Sequence, residues 1–206
     1  MKKVSKEISD QIMEYVINSD FDNLRNITNK SNLEPIITDN DYLEILNTIY
    51  ELGKKLKEFP NCYRGKKVNT IRDFILLILS LNFKVSVTSE SFNRGVKTDI
   101  MLKYNNKNIF IAECKFWRGE KSFLEAVDQL QGYLTWRDTK TALIIFVKEN
   151  NISSIINKIR TQIIQKHKSF IKECNYLNDS CIIYDFSFKQ DTEKKFKLAV
   201  LFYHLV

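Results

Sequence analysis

Asp99, Glu113 and Lys115 are the residues whose types and spacing could do chemistry. Glu113 and Lys115 stand two apart in the run Asn108-Ile109-Phe110-Ile111-Ala112-Glu113-Cys114-Lys115-Phe116-Trp117, which reads as a strand returning from the turn Asn105-Asn106-Lys107. Side chains alternate faces along a strand, so Glu113 and Lys115 point one way and Cys114 points into the opposite layer. Ile109 and Ile111 predict that the face carrying Glu113 is apolar. Charges are rarely set into such a face without a partner or a metal. Across the hairpin, on the strand Lys97 to Tyr104, Asp99 adds a second carboxylate at about the same height. Two carboxylates and a lysine suit metal-assisted phosphodiester hydrolysis. Mg²⁺ takes oxygen ligands and keeps several waters, a bound metal acidifies water and stabilises phosphoryl charge, and a lysine beside it orients that water or neutralises the developing anion.

The elements that must position these groups follow from periodicity. Ile109 to Ala112 is unbroken apolar sequence, as in a central strand buried on both faces. The next helix, about Ser122 to Trp136, carries Gln129 and Tyr133 at i and i+4, on one helical face. Around this core the order reads helix (Thr70 to Asn82), strand (Phe83 to Thr88), the hairpin, the Gln129 helix, strand (Ala142 to Lys148) and helix (Asn151 to His167). Strands near Cys181 to Phe186 and Phe196 to Phe202 complete it. The first sixty residues look helical, with amphipathic stretches at Lys6 to Asn18 and Asp41 to Phe59, the latter closed by Pro60. The expected division is a helical region at 1–59 and an α/β domain at 60–206.

Asp99, the Glu113-Cys114-Lys115 triplet and the Gln129-x-x-x-Tyr133 pair resemble the PD-(D/E)XK nuclease superfamily, and its RecB-like branch in the last of these. Thr98 stands where the family's proline would be. The resemblance covers about Thr70 to Lys148. It implies a restriction-endonuclease-like α/β fold, a mixed central sheet flanked by helices, here with an N-terminal helical extension. It implies a DNA endonuclease in which Asp99, Glu113, Lys115 and Gln129 are catalytic. Asp99, Glu113 and the backbone carbonyl of Cys114 would hold Mg²⁺, for which Mn²⁺ could substitute. Many members carry a glutamate on the first core helix for a second metal; Asp73 is the only acid on that helix here, and Glu90, near the turn leading to Asp99, is its rival. By analogy, such a nuclease could be the effector of a restriction or anti-phage defence system.

Composition sets bounds on partners. The 206 residues are 44% hydrophobic and 12% aromatic, which describes a globular chain. No apolar run approaches a membrane span, and the charged N-terminus lacks the apolar stretch of a signal peptide, so the expected location is cytoplasmic with no membrane partner. Cys62, Cys114, Cys174 and Cys181 form no C-x-x-C pair and read as buried thiols, and His167 and His204 as structural histidines. The net charge of +7 is unevenly spread: residues 1–60 carry 8 Lys/Arg against 11 Asp/Glu, and the remainder is strongly basic. A basic domain attracts phosphate backbones. Arg118 and Arg137 follow tryptophans, a pairing that stacks bases and binds phosphate. With Lys97, Tyr133 and Lys140 they form the expected nucleic-acid surface. The alternatives are an RNA-directed nuclease and a non-catalytic nucleic-acid-binding or protein-docking module. Residues 1–59 would serve homodimerisation or a partner protein.

Overall fold

The computed structural model describes residues 37–83, 85–88, 91–93 and 96–206, with backbone alone at 91–93, 96, 97, 175 and 176. The expected helix Lys6 to Asn18 and Glu90 lie outside the described residues.

Helix α1 (Asp39–Glu58) opens on a capping box in which the Thr38 hydroxyl accepts from the Asp41 N–H at 3.1 Å and Asp41 accepts from the Thr38 N–H at 3.1 Å. Its apolar stripe, Tyr42, Ile45, Leu46, Ile49 and Leu56, packs in one core cluster with Ile71, Ile75 and Leu79 of helix α2 (Val68–Asn82) and with residues as distant as Leu205. The Tyr42 hydroxyl donates to the Thr141 carbonyl at 2.7 Å. Gly53 lies against the Tyr203 ring so closely that a Cβ there would stand 2.5 Å from a ring carbon. The expected boundary near residue 60 therefore falls inside a continuous core. Among the described residues, α1 is a layer of the α/β unit and not an appended arm.

The main sheet has seven strands in the order β1-β4-β5-β6-β9-β8-β7. Strands β4 (Ile100–Tyr104) and β5 (Lys107–Phe116) pair antiparallel, β5, β6 (Lys140–Val147) and β9 (Lys195–His204) pair parallel, and β8 (Cys181–Ser187) and β7 (Phe170–Asn178) extend the sheet antiparallel. On the other flank, β1 (Ser86–Thr88) pairs with β4, while β2 (Ser91–Asn93) and β3 (Val96–Thr98) form a separate two-stranded ladder. Helix α3 (Glu120–Tyr133) makes the crossover between the parallel strands β5 and β6, as parallel pairing requires. The architecture is thus a mixed sheet between helical layers. Along β6 the two sides alternate strictly: Ala142, Ile144 and Phe146 face α1 and α2, whereas Leu143, Ile145 and Val147 face α3 and α4 (Ile152–Lys158).

Three local features depart from the expected pattern. The single strand expected from Lys97 to Tyr104 is broken at Asp99: β3 turns away to pair with β2, and β4 starts at Ile100. The register of β4 on β5 slips between Leu102 and Lys103, so Ile109 is an extra residue and packs with the α1/α2 cluster, away from Ile111. The helix expected from Asn151 to His167 is α-helical only to Lys158 and continues as a π turn and a 3₁₀ turn. The β4–β5 turn is tight, with Asn105 and Asn106 at φ +49° and +59°, the left-handed pair of a two-residue hairpin. Strand β7 was not expected; its mixed sequence FIKECNYLN sits at an outer edge of the sheet. No helix among the described residues is long and apolar enough to cross a membrane.

Candidate active site

The break at Asp99 builds the site. Ile100 is opposite Ala112, so Asp99 stands at the height of Glu113, on the side of β5 that β4 no longer covers. There the Asp99 carboxylate replaces a strand: its Oδ2 accepts the Cys114 N–H at 2.9 Å. In an extended strand the N–H and C=O of one residue point to the same side, so the Cys114 carbonyl also faces Asp99. Its thiol packs in the opposite layer, and burial pushes that thiol well above its ordinary pKa.

Alternation carries Glu113 and Lys115 to one face, the α3 side. Glu113 is 2% exposed, and its Oε1 takes the Lys115 ammonium at 2.7 Å while Lys115 keeps a third of its side chain in solvent. The other oxygen, Oε2, is buried without a hydrogen-bond partner. Burial first, and then the Asp99 carboxylate beside it, push the Glu113 carboxyl up to about 7, although Lys115 pulls the other way. The site holds more negative charge than its lysine neutralises.

Helix α3 closes the site from above. Gln129 is exposed at the rim and donates its amide N–H to the Tyr133 hydroxyl. Tyr133 is 1% exposed, and its hydroxyl is pushed up to about 12 by burial and then by the charge of Glu113 and Asp99, with the Gln129 bond opposing. Tyr133 therefore belongs to the carboxylate cluster through its hydroxyl. Its buried ring is out of reach of a nucleic-acid base, which corrects its placement on the binding surface.

Arg72 was not anticipated. It is 5% exposed on α2, with Nη1 3.5 Å from Asp99 Oδ1 and Nη2 3.0 Å from Asp73 Oδ1. Its signal in the sequence was a cation on an apolar stripe, at helical spacing between Val68 and Ile75. Asp73 reaches Asp99 only through this guanidinium. A divalent cation fits the donor set of Asp99, Glu113 and the Cys114 carbonyl, because Glu113 Oε2 is buried, unpartnered and beside a like charge. Among the described residues no group of three His, Cys, Asp or Glu side chains gathers to hold a metal alone. The remaining ligands would be water and substrate oxygens.

The expected binding residues divide. Arg118 is exposed just past the end of β5, three residues beyond Lys115. Lys97 has no described side chain. Arg137 is exposed but belongs elsewhere: its guanidinium lies 4.3 Å over the Trp136 ring, which is 55% exposed, in a groove of about 530 Å³ that includes Lys107, Asn108 and Lys194. That groove adjoins the start of β5, whereas Glu113 and Lys115 lie in its second half. Lys140 is a correction: it is 8% exposed, paired with Asp39 and 5.3 Å over the Tyr42 ring, so it cannot meet a phosphate. Trp117 packs on Phe123 at 6.2 Å. His167 is buried and satisfied, with Nε2 3.0 Å from Asp128 and Nδ1 accepting the Ser169 N–H at 3.2 Å. The cysteines are free thiols; Cys114 and Cys181 are buried, but Cys174 is exposed on β7. Compared with family models, curated proteins and solved structures, the chain matches none of them.

Proposed function

We propose that the chain is a divalent-metal-dependent nuclease of the PD-(D/E)XK type that hydrolyses DNA phosphodiester bonds, on a restriction-endonuclease-like core formed by α2, β1, β4, β5, α3 and β6. The observation that carries this reading is the buried, unpartnered Glu113 Oε2 beside Asp99, with Lys115 on the same face and the Cys114 backbone turned toward Asp99. When bound, Mg²⁺ would lower the pKa of a coordinated water and neutralise charge on the scissile phosphate. The chain's own residues do the rest. Asp99, at the break just before β4, and Glu113 on β5 present oxygens at a common height fixed by the β4–β5 ladder. Lys115 holds an ammonium at the solvent-facing edge of the site, where it donates to the attacking water or to the developing anion. Tyr133, oriented by Gln129, caps the apolar side of the carboxylates and keeps bulk water from Glu113. Arg118 is placed to contact the backbone of a strand entering past the end of β5.

The test is cleavage of supercoiled plasmid and of a structured RNA in Mg²⁺ or Mn²⁺, wild type beside Lys115→Ala. Nicking or linearisation of plasmid by wild type alone is expected. Cleavage of RNA only would redirect the substrate, and wild-type protein inert on both would favour a non-catalytic binding module.

A further inference from the structure

We infer that Arg72 takes the place of a second metal ion, so that the site holds one divalent cation per chain. The inference rests on the metal-dependent reading above and goes beyond it in fixing metal number. Asp99 commits one oxygen to the guanidinium, at 3.5 Å, and the other to the Cys114 N–H, at 2.9 Å. A carboxylate offers about four lone-pair positions. The ones left open suffice for a single cation shared with Glu113 Oε2, the oxygen that has no partner. In two-metal sites the ions stand about 3.5–4 Å apart and share a carboxylate. Here the position beside Asp99 Oδ1 is held by a buried positive charge that cannot be deprotonated. Asp73 is not available to recruit a second ion. Its Oδ1 accepts from Arg72 Nε at 3.2 Å and Nη2 at 3.0 Å, while the side chain stays 62% exposed. It balances the guanidinium from the far side. Arg72 is a positioning residue: it aims Asp99 and contributes a fixed unit of positive charge where another design would bind a cation.

The experiment is Mn²⁺ titration of the full chain, followed by calorimetry and electron paramagnetic resonance, with Glu113→Gln as the control that assigns binding to this site. Wild type is expected to bind one Mn²⁺ that Glu113→Gln loses, with the six-line spectrum of an isolated ion. Arg72→Lys, which keeps the charge, is expected to bind one as well. Arg72→Glu is expected to bind two, with the broadened spectrum of an exchange-coupled pair. A coupled pair in wild type overturns the inference, as does a single ion in a folded Arg72→Glu protein. If Arg72→Glu does not fold, the wild-type count still decides. A wild type that binds no Mn²⁺ sensitive to Glu113→Gln removes the metal-dependent reading itself, and this inference with it.

Discussion

Two ion pairs, each with one buried partner, lie on adjacent parallel strands, Glu113–Lys115 in β5 and Lys140–Asp39 at the head of β6, and they are built to opposite rules. In the second, the buried partner is the cation. The Lys140 side chain is 9% exposed, its carboxylate Asp39 is 68% exposed, and the Tyr42 ring lies under the ammonium. The hydrogen bond from Lys140 holds the Asp39 carboxyl below its usual value. Charge is balanced, and the pair ties α1 to the sheet. In the first, the buried partner is the anion, a second carboxylate stands beside it, and one oxygen is unsatisfied. A balanced pair is a structural fastening. A buried carboxylate with one oxygen unsatisfied and a like charge beside it destabilises the metal-free protein and fits a place where a cation is to be held.

The largest contrast is expected in activity. Glu113→Gln and Lys115→Ala should each reduce metal-dependent plasmid cleavage by about 10³-fold or more, the scale of losing a group aimed at transition-state charge. Lys140→Met should cut within about threefold of wild type. A stable Lys140→Met protein that fails to cut, beside an active Lys115→Ala, would reverse the assignment of the two pairs.

Stability should sort them the other way. A carboxyl raised from 4.5 to about 7 binds its proton more tightly in the native state than in the unfolded chain. The stability associated with Glu113 is then full below pH 4.5 and is lost as pH rises through about 7. Glu113→Gln, which has no charge to bury, should raise the metal-free stability at pH 8 by about 2 kcal/mol, some 4–8 °C in Tm. The gain should vanish at pH 4.5, as read by thermal melts across pH in chelator. A gain that persists unchanged at low pH would mean that the Glu113 charge is not what destabilises the fold.

The balanced pair should behave conventionally. Asp39→Ala leaves Lys140 buried without its partner and should lower stability by about 1–2 kcal/mol, whereas replacing both residues by methionine should recover most of that loss. Urea denaturation of the single and double variants measures it, and a neutral Asp39→Ala would show that Lys140 finds another acceptor. The smallest effect is expected in binding. Arg118→Ala should reduce the salt slope of duplex affinity by about 1, and Lys140→Met by nothing measurable, in fluorescence anisotropy over a range of salt. Equal changes in the two slopes would place both side chains on the phosphate backbone.

The face shared by Glu113 and Lys115 was legible because strand alternation is a local rule, and so was the i, i+4 meeting of Gln129 and Tyr133. The height of Asp99 was legible from hairpin length. The break that frees Asp99 was not, since it depends on β3 finding β2. Ile109 misled because a bulge one residue long reverses the face of what precedes it. Arg72 and Lys140 were hidden for a common reason: each is a long cation whose partner comes from another element, Asp99 in one instance and Asp39 in the other. Arg72 at least stood on an apolar helical stripe, whereas nothing around Lys140 distinguishes it from a solvated lysine. The boundary at 60 followed from Pro60 and a change in charge balance, neither of which reports that Tyr42, Leu46 and Ile49 bury themselves against α2 and the sheet. A truncation that removes residues 1–59 would strip that layer, so binding by the shortened chain does not isolate the effect of the acidic segment.

The pairing of β6 with β9 sets the order in which this chain can be assembled. Strand β6 has one neighbour in β5, but its other edge stays open until Lys195–His204 has been synthesised. Helix α1 waits for the same segment, since Gly53 seats on the Tyr203 ring and the Tyr203 hydroxyl donates to the Ile49 carbonyl. Loop-closure entropy must be met before such distant contacts repay it, and sheets joined this way fold in about milliseconds to seconds. Throughout that interval Ala142–Val147, an unbroken apolar row, presents an unpaired edge. Refolding from denaturant should therefore lose yield steeply as protein concentration rises, with light scattering growing in step. Native yield that is independent of concentration would show that this edge is covered before β9 arrives.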